Sequence, residues 1–461
     1  MYKIFFNKVK NIYELAELVR MFLPASAYSI IDYDPYETSE GALDDILIRI
    51  PDNIEDKDSG KQYLYKCLTK YTGIKPDWGI LTGVRPVKLT GELVAKHGSI
   101  DRVKNILTKE YFLSENKADL LIDTYNIQQK AVLGSNDENA VAIYIGIPFC
   151  PTRCIYCSFP SNQVSGDMIQ RYLTALSREI EYTGRKMKKK GWYPESIYIG
   201  GGTPTTLSEE EINLLLGQVH SNFDLAGLKE FTVEAGRPDT ITPEKLKIIK
   251  EYGAGRISIN PQSMKKETLR LIGRMHEPED IITAFDTARE IGFSVINADL
   301  IAGLPEESPK DYISSLEEII KLKPENITVH TLAVKRASKL KEINEDYSYH
   351  QGKTVRAMLD HGSSLLSDNG YKPYYLYRLK QMAGNFENVG YSLPGTESIY
   401  NVKIMEENQT IIALGAGGIS KIWYPDERRL ERVPNVSNYE IYIERIEEML
   451  IRKAEGIFAE R

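Results

Sequence analysis

Cysteine is scarce in this chain and unevenly placed. Only four of its 461 residues are cysteine, and three of them, Cys150, Cys154 and Cys157, share one eight-residue stretch. Cys67 stands alone, and the expectation for it is a small buried side chain. Long apolar runs are missing as well: none reaches membrane-spanning length, and residues 1–6 lack the apolar core of a signal peptide. The expected setting is therefore the cytoplasm, where thiols stay reduced and available to a metal. Positive charge is not in excess. A net charge of −7 argues against a general nucleic-acid binder, although a local basic patch stays open. Low-complexity segments are absent, and so are repeats other than strand–helix units.

What is present is an ordinary globular balance, 42% hydrophobic and 27% charged, in a chain long enough for one large domain and smaller ones beside it. Residues 1–135 read as an N-terminal α/β accessory domain. It has a strand at 2–6, a helix at 12–21, strands at 27–32 and 42–50 that could pair, and helices at 59–71, 99–111 and 114–133. Residues 75–89 carry too much Gly and Pro for a regular element. They place Trp78, Arg85 and Lys88 around a turn, either a lid or substrate loop or a packed Ω-loop. A boundary falls at 134–137.

From residue 140 the pattern alternates. Strands at 141–147, 196–199, 230–234, 256–260, 294–300 and 326–331 are separated by helices, including one at 208–220 with a capping box from Ser208 to Glu211. Short apolar strands alternating with helices predict a parallel sheet flanked by helices, and six such units suggest a partly closed (β/α)6 barrel over residues 136–345. After about 345 the alternation stops. A helix at 349–368, strands at 371–377 and 409–414, a Gly-rich turn at 415–420 and a helix at 437–453 suggest a small α+β cap over 346–461.

The cysteines are spaced C-x3-C-x2-C directly after the first barrel strand. Three thiolates on one loop can hold three irons of a [4Fe–4S] cube and leave the fourth iron open to a ligand. A structural zinc site would need a fourth ligand, and no Cys or His lies near in sequence to supply it. In parallel β/α folds, active groups collect at the carboxyl ends of strands. The second strand ends in Gly200-Gly201-Gly202-Thr203, where a ligand can touch backbone. The third ends at Glu234, the fourth near Gln262 and the fifth at Asp299. A carboxylate at the mouth of an apolar strand is costly without a partner, so a positively charged or hydroxyl-bearing ligand explains it economically. Capping of the next helix is the alternative for Asp299.

Residues 144–150 (Tyr-Ile-Gly-Ile-Pro-Phe-Cys), the cysteine loop with Tyr156, and the Gly200–Thr205 turn resemble radical S-adenosylmethionine enzymes. Residues 271–276, 297–305 and 414–420 narrow the resemblance to the oxygen-independent coproporphyrinogen III oxidase (dehydrogenase) family. Residues 82–89 and 377–391 are similar to its HemZ-like branch. The resemblance implies that Cys150, Cys154 and Cys157 hold the cluster and that S-adenosylmethionine, in one or two copies, binds the open iron. Tyr144 and Tyr156 would lie near the cofactor, and Gly201, Gly202 and Thr203 would meet its amino group. Glu234 and Arg274 would serve its polar ends, Gln262 and Asp299 its ribose, and Ala333 and Ile419 an adenosine. The implied reaction is radical oxidative decarboxylation of two propionates of coproporphyrinogen III to vinyls, giving protoporphyrinogen IX. An electron donor such as flavodoxin or ferredoxin would feed the cluster. Arg85, Lys88, Arg336, Arg378 and Lys380 are candidates for the substrate carboxylates. Two positions depart from the best-known members: Gly146 stands where many have His, and Phe159 where many have a fourth cysteine. The missing fourth cysteine leaves room for a haem-binding or trafficking protein on the same scaffold, or a radical enzyme acting on another tetrapyrrole. Gly146 in place of the His counts against the haem-handling reading, while His97, His220, His276, His330, His350 and His361 leave axial ligands open to it.

Overall fold

The computed structural model describes residues 2–5, 12–31, 46–51, 54, 56–131, 137–157, 159, 161–164, 166–333, 351–379 and 385–459. Arg336, His350, Lys380 and most of the expected boundary at 134–137 lie outside them.

Two sheets form. In the smaller, β1 (Tyr2–Phe5) lies between β2 (Tyr28–Ile31) and β3 (Ile46–Arg49), parallel to both. The two later strands, expected as partners, are thus separated by the first. Helices α1 (Ile12–Arg20) and α2 (Lys57–Thr72) cover this sheet with Leu15, Leu18, Leu64 and Leu68, and Cys67 packs partly buried beside them. Three further helices follow: α3 (Pro86–His97), α4 (Ile100–Lys109) and α5 (Glu115–Ala131). The Gly/Pro-rich stretch is therefore part helix. Pro86 opens α3 at the one helical position where a missing N–H costs nothing. Trp78 is buried, and its indole donates to Glu387 at 2.8 Å, so this part of the stretch is packed, not a free lid.

The larger sheet has eleven strands. Its parallel centre runs in chain order: β4 (Ala140–Ile147), β5 (Tyr193–Gly201), β6 (Glu230–Glu234), β7 (Arg256–Ser258), β8 (Val295–Ala302) and β9 (Asn326–Thr331). Strands β10 (Lys372–Tyr377) and β11 (Asn388–Ser392) extend it beyond β9. Beyond β4 lie β12 (Ile411–Leu414), β13 (Ile419–Tyr424) and β14 (Arg429–Pro434). The C-terminal strands therefore lengthen both edges of the same sheet and do not build a layer of their own. The expected Gly-rich turn at 415–420 gives way at Ile419 to β13.

Alternation assigns each strand two faces. Val141, Ile143, Ile145 and Ile147 of β4 point to the outer face, with Ile197, Ile199, Phe231, Val233 and Ile257. Helices α6 (Gly166–Lys190), α7 (Glu209–Asn222), α8 (Pro243–Glu251), α9 (Lys266–Leu271), α10 (Pro278–Ile291), α11 (Pro309–Lys321) and α12 (Gly352–Asp368) follow along the chain. Leu176, Leu216, Leu246, Phe285 and Leu316 bring five of them into the outer core. Each such side chain contributes roughly 1.5–3 kcal/mol on burial. Further on come α13 (Ile399–Glu406), α14 (Tyr439–Glu444) and α15 (Ile446–Gly456), the last two replacing one long expected helix.

The other face is polar and aromatic, and α13 plugs its lower end. Glu230, at the start of β6, accepts from Ser398 Oγ at 2.9 Å, Ile399 N at 2.8 Å and Tyr400 N at 3.3 Å, capping that helix. Arg256 and Asn326 both bond Thr396 O, at 2.7 and 2.9 Å, and the two side chains bond each other.

Candidate active site

The cysteine loop leaves the mouth end of β4 and is pinned by backbone on three sides. Cys150 N donates to Asn162 O at 3.1 Å, and Asn162 N returns to Pro148 O at 3.0 Å. Gly202 N and Thr203 N donate to Ile147 O and Phe149 O, both at 2.7 Å, tying the loop to β5. Ile155 N donates to Ile272 O at 3.1 Å, and Thr152 Oγ1 to Gly273 O at 3.2 Å, tying its far side to the turn after α9. The triple glycine is what allows this closeness. A Cβ on Gly202 would sit 2.5 Å from Phe149 O, and Gly201 has φ +113°.

Cys150 and Cys154 are buried and Cys157 partly so. Burial pushes the Cys150 thiol up, against the Thr203 and Ser161 hydroxyls, which pull it down. Thr203 Oγ1 lies 3.4 Å from Cys150 Sγ, so it meets the loop itself. Two buried guanidiniums face the thiols. Arg237 forks onto Asp239 at 3.0 and 3.1 Å, donates to Thr152 Oγ1 at 2.7 Å and comes within 4.0 Å of Cys154 Sγ. Arg274 spends Nη1 on Gly236 O and Asn260 O at 2.8 and 2.7 Å, and Nη2 on Tyr156 Oη at 3.4 Å, leaving Nε unpartnered among the described residues. It thus braces the ends of β6 and β7 as much as it offers a ligand contact.

Beside the loop, the inner face carries Tyr144, Tyr198, Glu234, Asp299, His330 and Tyr377. Glu234 accepts from Tyr198 Oη at 2.6 Å and from Gly201 N at 3.3 Å. Burial pushes its carboxyl up to about 7; the Tyr198 hydrogen bond opposes this and the Asp299 charge adds to it. Asp299 is also buried, but His330 at 3.4 Å, Asn297 at 2.8 Å and Thr328 outweigh burial and hold it below the usual range. Gln262 has φ +68°, with both backbone groups bonded to β8 and its side-chain oxygen buried without a partner among the described residues. Ala333 follows β9 at the mouth end, partly buried, and Ile419 opens β13 at that end, half-exposed.

Of the described substrate candidates, Arg85 and Lys88 lie away from the thiols, and Arg378 follows Tyr377 at the mouth end of β10. Arg85 is paired with Glu407 at 2.9 Å and Lys88 with the same carboxylate at 3.9 Å, beside Lys421 and Arg432. Glu407 follows α13 and precedes the lower end of β12, so this cluster is on the side opposite the cysteines. Arg378 stacks on Trp78 at 4.8 Å and donates to Leu81 O and to Asn385 O, so its guanidinium is committed to packing. Sequence reasoning passed over Arg237, Tyr198 and Tyr400. The first stands three residues after Glu234, within reach of a strand-end search. The others show no pattern until strands are aligned.

The donors fit an iron–sulfur group. No three or more of His, Cys, Asp and Glu among the described residues are close enough to share one metal ion. Thiolates that each bind a different iron of a cube stand wider apart than ligands of one ion. Buried cations beside the thiols, and unpartnered polar atoms on Arg274 and Gln262, suit an anionic cluster with a polar ligand next to it.

A three-thiol loop after the first strand of a parallel α/β sheet, followed by acidic strand ends, defines a radical S-adenosylmethionine protein, and residues 144–319 match the Radical SAM superfamily. Membership implies a [4Fe–4S] cluster and S-adenosylmethionine. The chain belongs to the family of oxygen-independent coproporphyrinogen-III oxidase-like proteins. It is 43% identical over 390 residues to HemZ of Bacillus subtilis, named as such a protein, covering 84% of this chain and 78% of the relative. It is also 40% identical over 192 residues to the heme chaperone HemW of the same organism, 41% of this chain and 50% of that one. In fold it resembles the radical SAM enzyme coproporphyrinogen III oxidase HemN from Escherichia coli (TM-score 0.54, 23% identity, 71% and 73% of the two chains). No helix among the described residues is long and apolar enough to cross a membrane.

Proposed function

We propose that this protein is a coproporphyrinogen III dehydrogenase, converting two propionates to vinyl groups. The supporting observation is the gathering of three thiols, Glu234, Gln262 and Asp299 at one end of the sheet, in a chain closely related to an oxidase-like protein. The cluster and S-adenosylmethionine, once bound and supplied with an electron, would provide radical chemistry able to take hydrogen from an unactivated carbon. The chain's own residues bind and orient. Cys150, Cys154 and Cys157 hold the cluster, with Arg237 offsetting its negative charge. Glu234 receives the cofactor's amino group, Gln262 and Asp299 its ribose hydroxyls, and Tyr144 and Tyr156 flank it. Ala333 and Ile419 line an adenosine site for one or a second cofactor molecule. A hydrogen atom would pass from the β-carbon of a propionate to the cofactor-derived group; CO2 would then leave, one electron passing to an external one-electron acceptor, and the vinyl group would remain. Arg336 and Lys380 stay as proposed partners of the propionates. A flavodoxin or ferredoxin supplies electrons, the compartment is the cytoplasm, and residues 1–135 act as an accessory unit beside the catalytic sheet.

Anaerobic incubation with coproporphyrinogen III, reductant and S-adenosylmethionine, read by mass spectrometry, tests this. Two successive losses of CO2 are expected. Formation of 5′-deoxyadenosine without them would transfer the chemistry to another substrate. Haem binding is the second reading, favoured by the HemW relatives and by His330 beside Tyr377 at 3.3 Å. Stoichiometric haem uptake by the purified protein, with no decarboxylation, would select it.

A further inference from the structure

Glu234 has one strong partner, and the backbone leaves space for that pairing. Tyr198 lies two residues before Gly200 on β5. A Cβ on Gly200 would stand 2.8 Å from both Glu234 Cδ and Tyr198 Cε1. The first glycine of the triple therefore makes room for the phenol–carboxylate pair, as the third makes room for the cysteine loop. Tyr198 is itself clamped: its ring stacks on Tyr400 with centroids 4.7 Å apart and 22° between planes, and Tyr144 stacks against both at 6.3 Å. Tyr400 is in turn held by Glu230, which caps the start of α13.

We propose that Tyr198 is a positioning residue: it fixes Glu234 so that Oε2 faces the ammonium group of the bound cofactor. The inference rests on Glu234 being that contact. The phenol occupies Oε1 at 2.6 Å, whereas Oε2 has only the longer Gly201 N–H at 3.3 Å and keeps acceptor capacity for a cation. A hydrogen bond to the charged form also favours ionisation, so the pair keeps a buried carboxylate available near neutral pH. The other groups facing Glu234 are Asp299 on β8, His330 on β9, Tyr144 on β4 and Tyr400 on α13. Only Tyr198 and Gly201 donate a hydrogen bond to it among the described residues.

The test is equilibrium binding of S-adenosylmethionine across pH by the reconstituted holoprotein, with the cluster oxidised so that no cleavage occurs. Tyr198→Phe keeps the ring and its stacking but removes the donor. It is expected to weaken binding about tenfold at neutral pH and to raise the pH midpoint by about one unit, because the carboxylate loses its stabilising donor. Gly200→Ala, which separates the pair, should act in the same direction. Tyr400→Phe, which keeps the stack, should leave the midpoint in place. Weaker binding in Tyr198→Phe with an unmoved midpoint would reduce the phenol to packing and overturn the proposal. Absence of binding by the unaltered holoprotein would overturn the cofactor reading of Glu234, and this inference with it.

Discussion

Strand β6 carries two glutamates on the same face, one at each end, and the fold treats them in opposite ways. Glu230, on the floor, is surrounded by donors: Ser398, the first N–H groups of α13, and Arg256 at 3.5 Å. Glu234, at the mouth, has one phenol and one long backbone contact, and burial has lifted its carboxyl to about 7. Glu230 is satisfied by the chain itself, whereas Glu234 keeps acceptor capacity; Arg274 Nε and Gln262 Oε1 lack partners among the described residues at the mouth, as Arg256 Nε and Ser196 Oγ do at the floor. What separates the ends is the carboxylate: one is closed by donors of its own chain, the other is buried beside the thiols with an oxygen still able to accept from a ligand.

The comparison breaks most clearly at the cysteines. Replacing Cys150, Cys154 or Cys157 by Ala should bring iron in anaerobically reconstituted protein to about zero per chain, with the folding transition still cooperative. A transition lost together with the iron would make the loop part of the core instead. Gly202→Ala comes next. Its Cβ would drive into Phe149 O, so iron content should fall several-fold although no ligand has changed, as iron analysis would read.

The two glutamates then give opposite signs. Glu230→Ala leaves Arg256 buried without its carboxylate and should cost about 3 kcal/mol in denaturant unfolding. Glu234→Gln should stabilise the cofactor-free protein by on the order of 1–3 kcal/mol at neutral pH while abolishing S-adenosylmethionine binding. The sign follows from linkage. A carboxyl raised from 4.5 to about 7 in the folded state takes up protons there first. Its contribution to stability therefore falls as pH rises through that window, and the Gln variant should lose the slope. The smallest effect belongs to Arg85→Ala. Paired with Glu407 on the floor side, it should lower stability by less than about 1 kcal/mol and leave turnover unchanged. A large rise in KM for the tetrapyrrole would return Arg85 to the substrate site.

Much of this site was legible in the order of residues. Cysteine spacing, the triple glycine and the polar strand ends sit at fixed offsets from apolar runs, and each offset follows from local geometry. Arg85, Lys88 and Arg378 show the opposite case. A cation looks the same in sequence whether it waits for a ligand or holds a carboxylate of its own chain. Glu407 lies some three hundred residues from Arg85 and Lys88, as Trp78 does from the Arg378 that stacks on it, and no periodicity announces either. Strands β11, β13 and β14 also escaped reading: β11 is a short Asn-Val-Gly-Tyr-Ser run interrupted by glycine, β13 follows the Gly-rich turn without a break, and β14 is largely charged at the edge of the sheet.

Residue order alone was enough for the parallel sheet, the loop that gathers three thiols and the strand ends where Glu234, Gln262 and Asp299 stand. These depend on short-range spacing and on which residues water rejects. It took packing to show that α13 plugs the floor, that Tyr400 reaches up to clamp Tyr198, and that the glutamate at one end of β6 is saturated while the one at the other end is not. Such partnerships join segments far apart in the chain, and only packing brings them within hydrogen-bond range.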